Sequence, residues 1–237
     1  MRKSVNTFHD ALMPFAERQI IDMSIRERGK EKKWKSTKDK PCKIYIFTEG
    51  DTEKIYLKHY NNKKKGVEVI SVDPKHTDAV GIVRYAQKYI DEHDVDVDLG
   101  DRCYCVFDSD PKSNTNIGEA FKLIHEYRNK GLKCIFSNPS FEIWFILHYR
   151  KAPYGKNAAE VKRMVKKLVK DKAPKYKETT DIFDILIDKQ EKALEEARLL
   201  HKEQMEKYKN VFSHDCNPYT NIFEFITFIK NVKKDIK

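Results

Sequence analysis

Little in this chain breaks or cross-links it. Glycine and proline number only 8 each in 237 residues, which excludes the low-complexity and linker classes for most of the length. Tryptophan is scarce at 2, yet 13 Phe, 12 Tyr and an apolar share of 40% supply a real core. The 5 cysteines are an odd number. Cys42, Cys103, Cys105, Cys134 and Cys216 show no zinc-type spacing, and Cys103 and Cys105 are two small apolar residues on one face of a strand. They read as structural thiols. No apolar run approaches the ~20 residues of a membrane span. The first ten residues lack the apolar core of a signal peptide. A cytoplasmic protein without membrane contact is therefore expected. Net negative charge is also missing: the balance is +10, with a pI of about 9.2. Such a chain favours polyanions, nucleic acid first, because its cations neutralise phosphates and release their counterions.

Three stretches follow from the patterning. Residues 1–40 form a basic N-terminal segment. Within it, RERGKEKKWKSTKDK (26–40) has eight basic and three acidic residues and no helical apolar stripe. Residues 41–150 alternate between strand and helix. Strands are expected at 42–48, 67–72, 102–107 and 133–137, and helices at 51–60, 79–93, 117–130 and 141–149, with Gly131 closing the third helix. Such βαβα alternation predicts an α/β fold with a parallel sheet covered on both faces. Residues 151–237 carry no strand signal and read as a helical appendage packed on that core. Its first helix, 157–170, stripes Val161, Met164, Val165, Leu168 and Val169 against Lys162, Arg163, Lys166, Lys167 and Lys170. A second spans 180–208 with a break near 188, and a third starts at Ile222.

Chemistry is concentrated at two strand ends. Glu49-Gly50-Asp51-Thr52-Glu53 follows Lys43–Thr48, and Asp108-Ser109-Asp110 follows Arg102–Phe107. Carboxylates at the ends of buried strands are unfavourable unless paired, protonated or bound to a cation. Two such ends in one parallel sheet share the crevice where open α/β folds bind ligands. Asp108 and Asp110 offer hard oxygens that suit Mg²⁺ or Mn²⁺ together with substrate phosphate oxygens. Glu49 could bind the same ion, a second ion, or act as general base on a water. Glu53, one helical turn on, can lean back over the strand end. Taken singly, Asp51, Thr52 and Glu53 are ordinary residues of a helix start, and D-x-D before proline is common in turns. Glu142, in Asn138-Pro139-Ser140-Phe141-Glu142-Ile143-Trp144, either complements a helix dipole or joins the ligand set. His59, His125 and His148 read as packing or surface residues, and His76 as the histidine nearest a catalytic role.

These motifs together resemble the RloB-like family, a Toprim-related group of bacterial proteins. The resemblance is carried by Ile44–Glu53, by Phe107–Asp110, and most specifically by Ser137–Tyr149. Asn217-Pro218-Tyr219-Thr220-Asn221-Ile222 adds to it. It implies a Toprim-like, Mg²⁺- or Mn²⁺-dependent nuclease tied to restriction and anti-phage defence, often encoded beside an ABC/AAA-type ATPase. It further implies Glu49 as general acid/base, Asp108 and Asp110 as metal ligands, and Glu53 as an added ligand or support. Ser113 stands where the broad Toprim pattern has glycine, which argues against topoisomerase or primase activity. The substrate would be RNA, transfer RNA included, or DNA. Lys32, Lys33 and Lys35, with Lys162, Arg163, Lys166 and Lys167, are expected to hold the strand. A homo-oligomer is left open. Two other readings remain: a non-catalytic nucleic-acid-binding adaptor partnering a defence ATPase, and a haloacid-dehalogenase-type phosphatase.

Overall fold

A computed structural model describes residues 41–74, 78–109 and 115–232. The basic segment with Lys32, Lys33 and Lys35, together with His76, Asp110 and Ser113, lies outside the described residues.

Four strands form where apolar runs predict them: β1 (Cys42–Thr48), β2 (Val67–Val72), β3 (Arg102–Asp108) and β4 (Leu132–Asn138). They pair in parallel in the order β2-β1-β3-β4. A fifth strand, β5 (Tyr219–Thr220), pairs antiparallel with Ser137 and Asn138 at the end of β4. Two residues are too few to show a period of two, so nothing in the pattern announces it. The result is a mixed α/β fold with a mostly parallel five-stranded sheet, compatible with the Toprim-like class.

Successive strand residues point to opposite faces, and each face has its own core. On one side Ile44, Ile46, Tyr104, Val106 and Ile135 pack with α1 (Asp51–Leu57), α4 (Glu142–Leu147), α5 (Ala158–Val169), α7 (Gln190–Lys207) and α8 (Ile222–Val232). On the other, Tyr45, Phe47, Cys103, Cys105, Phe107 and Phe136 pack with α2 (Ala79–Glu92) and α3 (Ile117–Glu126). Burial on both faces explains why the strands read as nearly unbroken apolar runs. The helices after residue 150 thus close one face of the sheet. The break expected near 188 is present, as the short α6 (Phe183–Leu186) and a 3-10 turn before α7. All five cysteines are buried and unpaired.

Helix starts follow local chemistry. Asp78 accepts from the Gly81 amide (2.8 Å) to open α2. Asn157 and Glu160 form a reciprocal capping box at α5, a device that contributes about 1 kcal/mol. Gly131 takes the left-handed conformation, φ 84°, that turns the chain into β4 and that a side chain would resist.

Asparagine side chains finish both edges of the sheet. Asn221 Oδ1 accepts from the Phe136 amide (2.8 Å) and its Nδ2 donates to the Cys134 carbonyl (3.2 Å). At the β2 edge the Asn62 backbone bridges to Val67, and Asn61 Oδ1 accepts from the Val69 amide (3.1 Å).

Candidate acidic site

The two acidic motifs sit where the sheet reverses its winding. β1 lies between β2 and β3; α1 leaves β1 towards one face and α3 leaves β3 towards the other. A crevice opens at such a switch point, at the carboxyl ends of the strands. Glu49 follows β1 and Asp108 ends β3. The Glu49 amide donates to the Val106 carbonyl (3.2 Å), which extends the ladder by one residue. The Asp108 amide in turn points at Glu49 Oε2 across 3.5 Å, the outer limit of a hydrogen bond.

Glu53 folds back over this end. Gly50 makes room for it: a Cβ on Gly50 would lie 3.0 Å from Glu53 Oε2. Glu53 is only 5% exposed, and its Oε2 is buried with no hydrogen-bond partner among the described residues. Burial, with added repulsion from Glu142 and Glu49, pushes its pKa up to about 7. Asp108 is partly buried; burial first, then Glu53, Glu142 and Glu49, hold it well above the usual carboxylate range. Glu142 enters from the first turn of α4, is 1% exposed, and is raised chiefly by burial. Glu49 and Glu142 thus both act on Glu53 and Asp108. Each charge is unfavourable there unless a proton or a cation compensates it.

A lysine reaches the same place. Lys162, on α5, is half-buried, whereas Arg163, Lys166 and Lys167 are exposed. Burial works against the Lys162 charge, but Glu178, Glu142 and Asp108 outweigh it and raise its pKa. Its Nζ pairs with Glu178 Oε1 at 2.9 Å. The lysine face expected along α5 therefore divides, with one member at the acidic site and the rest facing outward.

Ser109 and His214 escape sequence reasoning. Ser109, which follows Asp108, is buried, and its Oγ shares a 2.7 Å hydrogen bond with His214 Nδ1, 105 positions away. His214 is held by Asn138, whose Nδ2 donates to the carbonyls of Ser213 (3.1 Å), His214 (2.9 Å) and Cys216 (2.8 Å). The asparagine of the Asn138–Glu142 motif thus fastens the 213–216 loop beside β3. His148 and His59 are structural. His148 is fully buried against the Trp144 carbonyl and its pKa falls to about 4, mainly through burial. His59 bonds Asp181 (2.6 Å) and stacks on Phe183.

A hard divalent cation suits this donor set. The groups are carboxylates, they repel one another, and one buried oxygen of Glu53 has no partner among the described residues. Among the described residues, no three such side chains are already drawn into metal-holding positions; Asp110 is outside that set. No helix among the described residues is long and apolar enough to cross a membrane.

Neither the curated proteins nor the solved structures contain a match to this chain. Residues 44–229 match the family described as RloB-like protein. That span holds Glu49, Glu53, Asp108, Glu142, Lys162 and His214, the whole of the acidic site and its supports. With most of its length matched in this way, the chain belongs to the RloB-like family.

Proposed function

We propose that the crevice between β1 and β3 is the active site of a metal-dependent nuclease that hydrolyses phosphodiesters of RNA, transfer RNA included, or DNA. The observation that carries this reading is the gathering of carboxylates at the switch point of the sheet: Glu49 faces the Asp108 amide, Glu53 folds back over Gly50, and Glu53 and Glu142 are buried. Asp108, Glu53 and Glu142, joined by Asp110 from the same motif, would hold Mg²⁺ or Mn²⁺. When bound, such an ion supplies Lewis-acid polarisation of the phosphate and activation of a water. Glu49, at the end of β1, takes the proton from the attacking water. Lys32, Lys33 and Lys35 of the basic segment, together with the outward cations Arg163, Lys166 and Lys167, hold the strand by its phosphates. A net charge of +10 supports a polyanionic substrate.

The likeness to RloB-like proteins supports an anti-phage effector that works with an ABC/AAA-type ATPase, and that part of the reading rests on family analogy. The test is incubation of the purified protein with Mg²⁺ or Mn²⁺ and labelled tRNA, single-stranded DNA and duplex DNA, beside Glu49→Ala and Asp108→Ala. Cleavage that needs the metal and is lost in both variants supports the nuclease. Binding without cleavage, with the partner ATPase present, replaces it with an adaptor. Hydrolysis confined to small phosphomonoesters replaces it with a phosphatase.

A further inference from the structure

Between α5 and α6 the chain passes beside the acidic site, where Glu178 meets Lys162 and Thr52. Glu178 pairs its Oε1 with Lys162 Nζ at 2.9 Å. Its backbone carbonyl accepts from Thr52 Oγ1 (3.1 Å), in the first turn of α1 and next to Glu53. Tyr176, two residues earlier, is 6% exposed, and its hydroxyl is buried with no hydrogen-bond partner among the described residues. A buried hydroxyl left unpaired is unfavourable by an amount comparable to a lost hydrogen bond. That hydroxyl lies two residues before Glu178 on the same stretch, and its neighbouring charges are Glu142 and Glu178.

We propose that Lys162 and Tyr176 form the phosphate subsite of the crevice, and that Glu178 is a built-in carboxylate occupying Lys162 until a phosphodiester displaces it. The ammonium and the phenol are both donors, which is what the non-bridging oxygens of a phosphodiester require. A carboxylate resembles such a phosphate in charge and in acceptor geometry, so Glu178 mimics the ligand. Its hold is weak: the two side chains are 58% and 36% exposed, and exposed pairs are screened by water. Thr52 keeps the Glu178 backbone in place, so the displaced carboxylate swings aside without rearrangement of the fold. The identity of the ligand as a nucleic-acid phosphate rests on the nuclease reading; the anion subsite itself does not.

Binding is therefore the readout. Fluorescence anisotropy of a short labelled single strand, one of RNA and one of DNA, is measured with the full chain in Ca²⁺. Lys162→Ala should weaken binding about tenfold, the effect of losing a charge-assisted hydrogen bond. Lys167→Ala, on the outer face of α5, should weaken it about twofold. Glu178→Gln should tighten binding by roughly twofold to fivefold, the range of an exposed ion pair, and this gain should vanish when Lys162→Ala is also present. Tyr176→Phe should weaken it without unfolding the chain. The inference is overturned if Lys162→Ala behaves like Lys167→Ala, or if Glu178→Gln leaves binding unchanged. A chain that binds as expected yet cleaves no nucleic acid keeps the subsite and removes the nuclease. Cleavage together with an unresponsive Glu178→Gln does the reverse. The RNA and DNA arms show which strand the subsite prefers.

Discussion

The backbone amide of Asp108 faces Oε2 of Glu49, so the end of β3 donates towards the carboxylate that ends β1. Glu49→Gln keeps an acceptor for that amide and removes the charge. Asp108→Asn likewise keeps the side-chain volume. Each should lower metal-dependent cleavage by about 10²-fold or more, the usual worth of a positioned acid–base or ligand group, with an unchanged circular dichroism spectrum. Retention of near wild-type cleavage by Glu49→Gln would remove it from the reaction.

Stability of the metal-free protein should depend on pH through Glu53. Its pKa is about 7 folded against 4.5 unfolded. A raised folded pKa contributes stability that is fully present below pH 4.5 and is lost as pH rises through about 7. Glu53→Gln has no charge to lose, so it should be more stable than wild type above pH 7, by an amount on the order of 3 kcal/mol. The gap should close towards pH 4.5. Glu224, raised by burial to about 7 as well, is common to both proteins and drops out of the comparison. Melting curves in EDTA at pH 5 and pH 8 give the answer.

Divalent ions should act oppositely. Mg²⁺ or Mn²⁺ should raise Tm at pH 8 and do little at pH 5, where Glu53 holds its proton. At a hundredfold excess over Kd the gain is about 2.7 kcal/mol, and EDTA should abolish it. An equal shift in Asp108→Asn would place the ion elsewhere.

Asn138→Ala should unfold part of the site. The substitution strands three carbonyls, of Ser213, His214 and Cys216, around a side chain 2% exposed. A loss of about 2–4 kcal/mol is expected, read by denaturant melts. Ser109→Ala, which removes only the contact to His214, should cost about 1 kcal/mol.

The exposed lysines should show themselves in salt dependence. Lys166→Ala and Lys167→Ala should each flatten the plot of log affinity against log salt by about 1, the mark of one lost phosphate contact. An unchanged slope would take that side chain off the nucleic-acid path.

Legibility in the sequence followed range. Strands β1 to β4 were readable because burial on both faces makes them unbroken apolar runs. The acidic motifs were readable because carboxylates directly after such runs conflict with burial. Glu142 joins them because α4 starts at the end of β4, next to β3. Contacts between distant residues left no trace: β5 has two residues, and Ser109 meets His214 across 105 positions. Lys162 shares the spacing of its polar neighbours on α5, so its place beside the carboxylates depends on packing that no periodicity records. Glu178 and Tyr176 lie between helices, where spacing carries no information.

The asparagines along the sheet rims bear on the company this protein keeps. An open strand is a template on which a second chain can add itself. Here Asn221 occupies the Phe136 amide and the Cys134 carbonyl beyond β4, and Asn62 and Asn61 occupy Val67 and the Val69 amide at the start of β2. A neighbouring molecule would first have to dislodge these asparagines to zip onto those stretches of the rims. Ribbon growth through those stretches with a second copy is disfavoured.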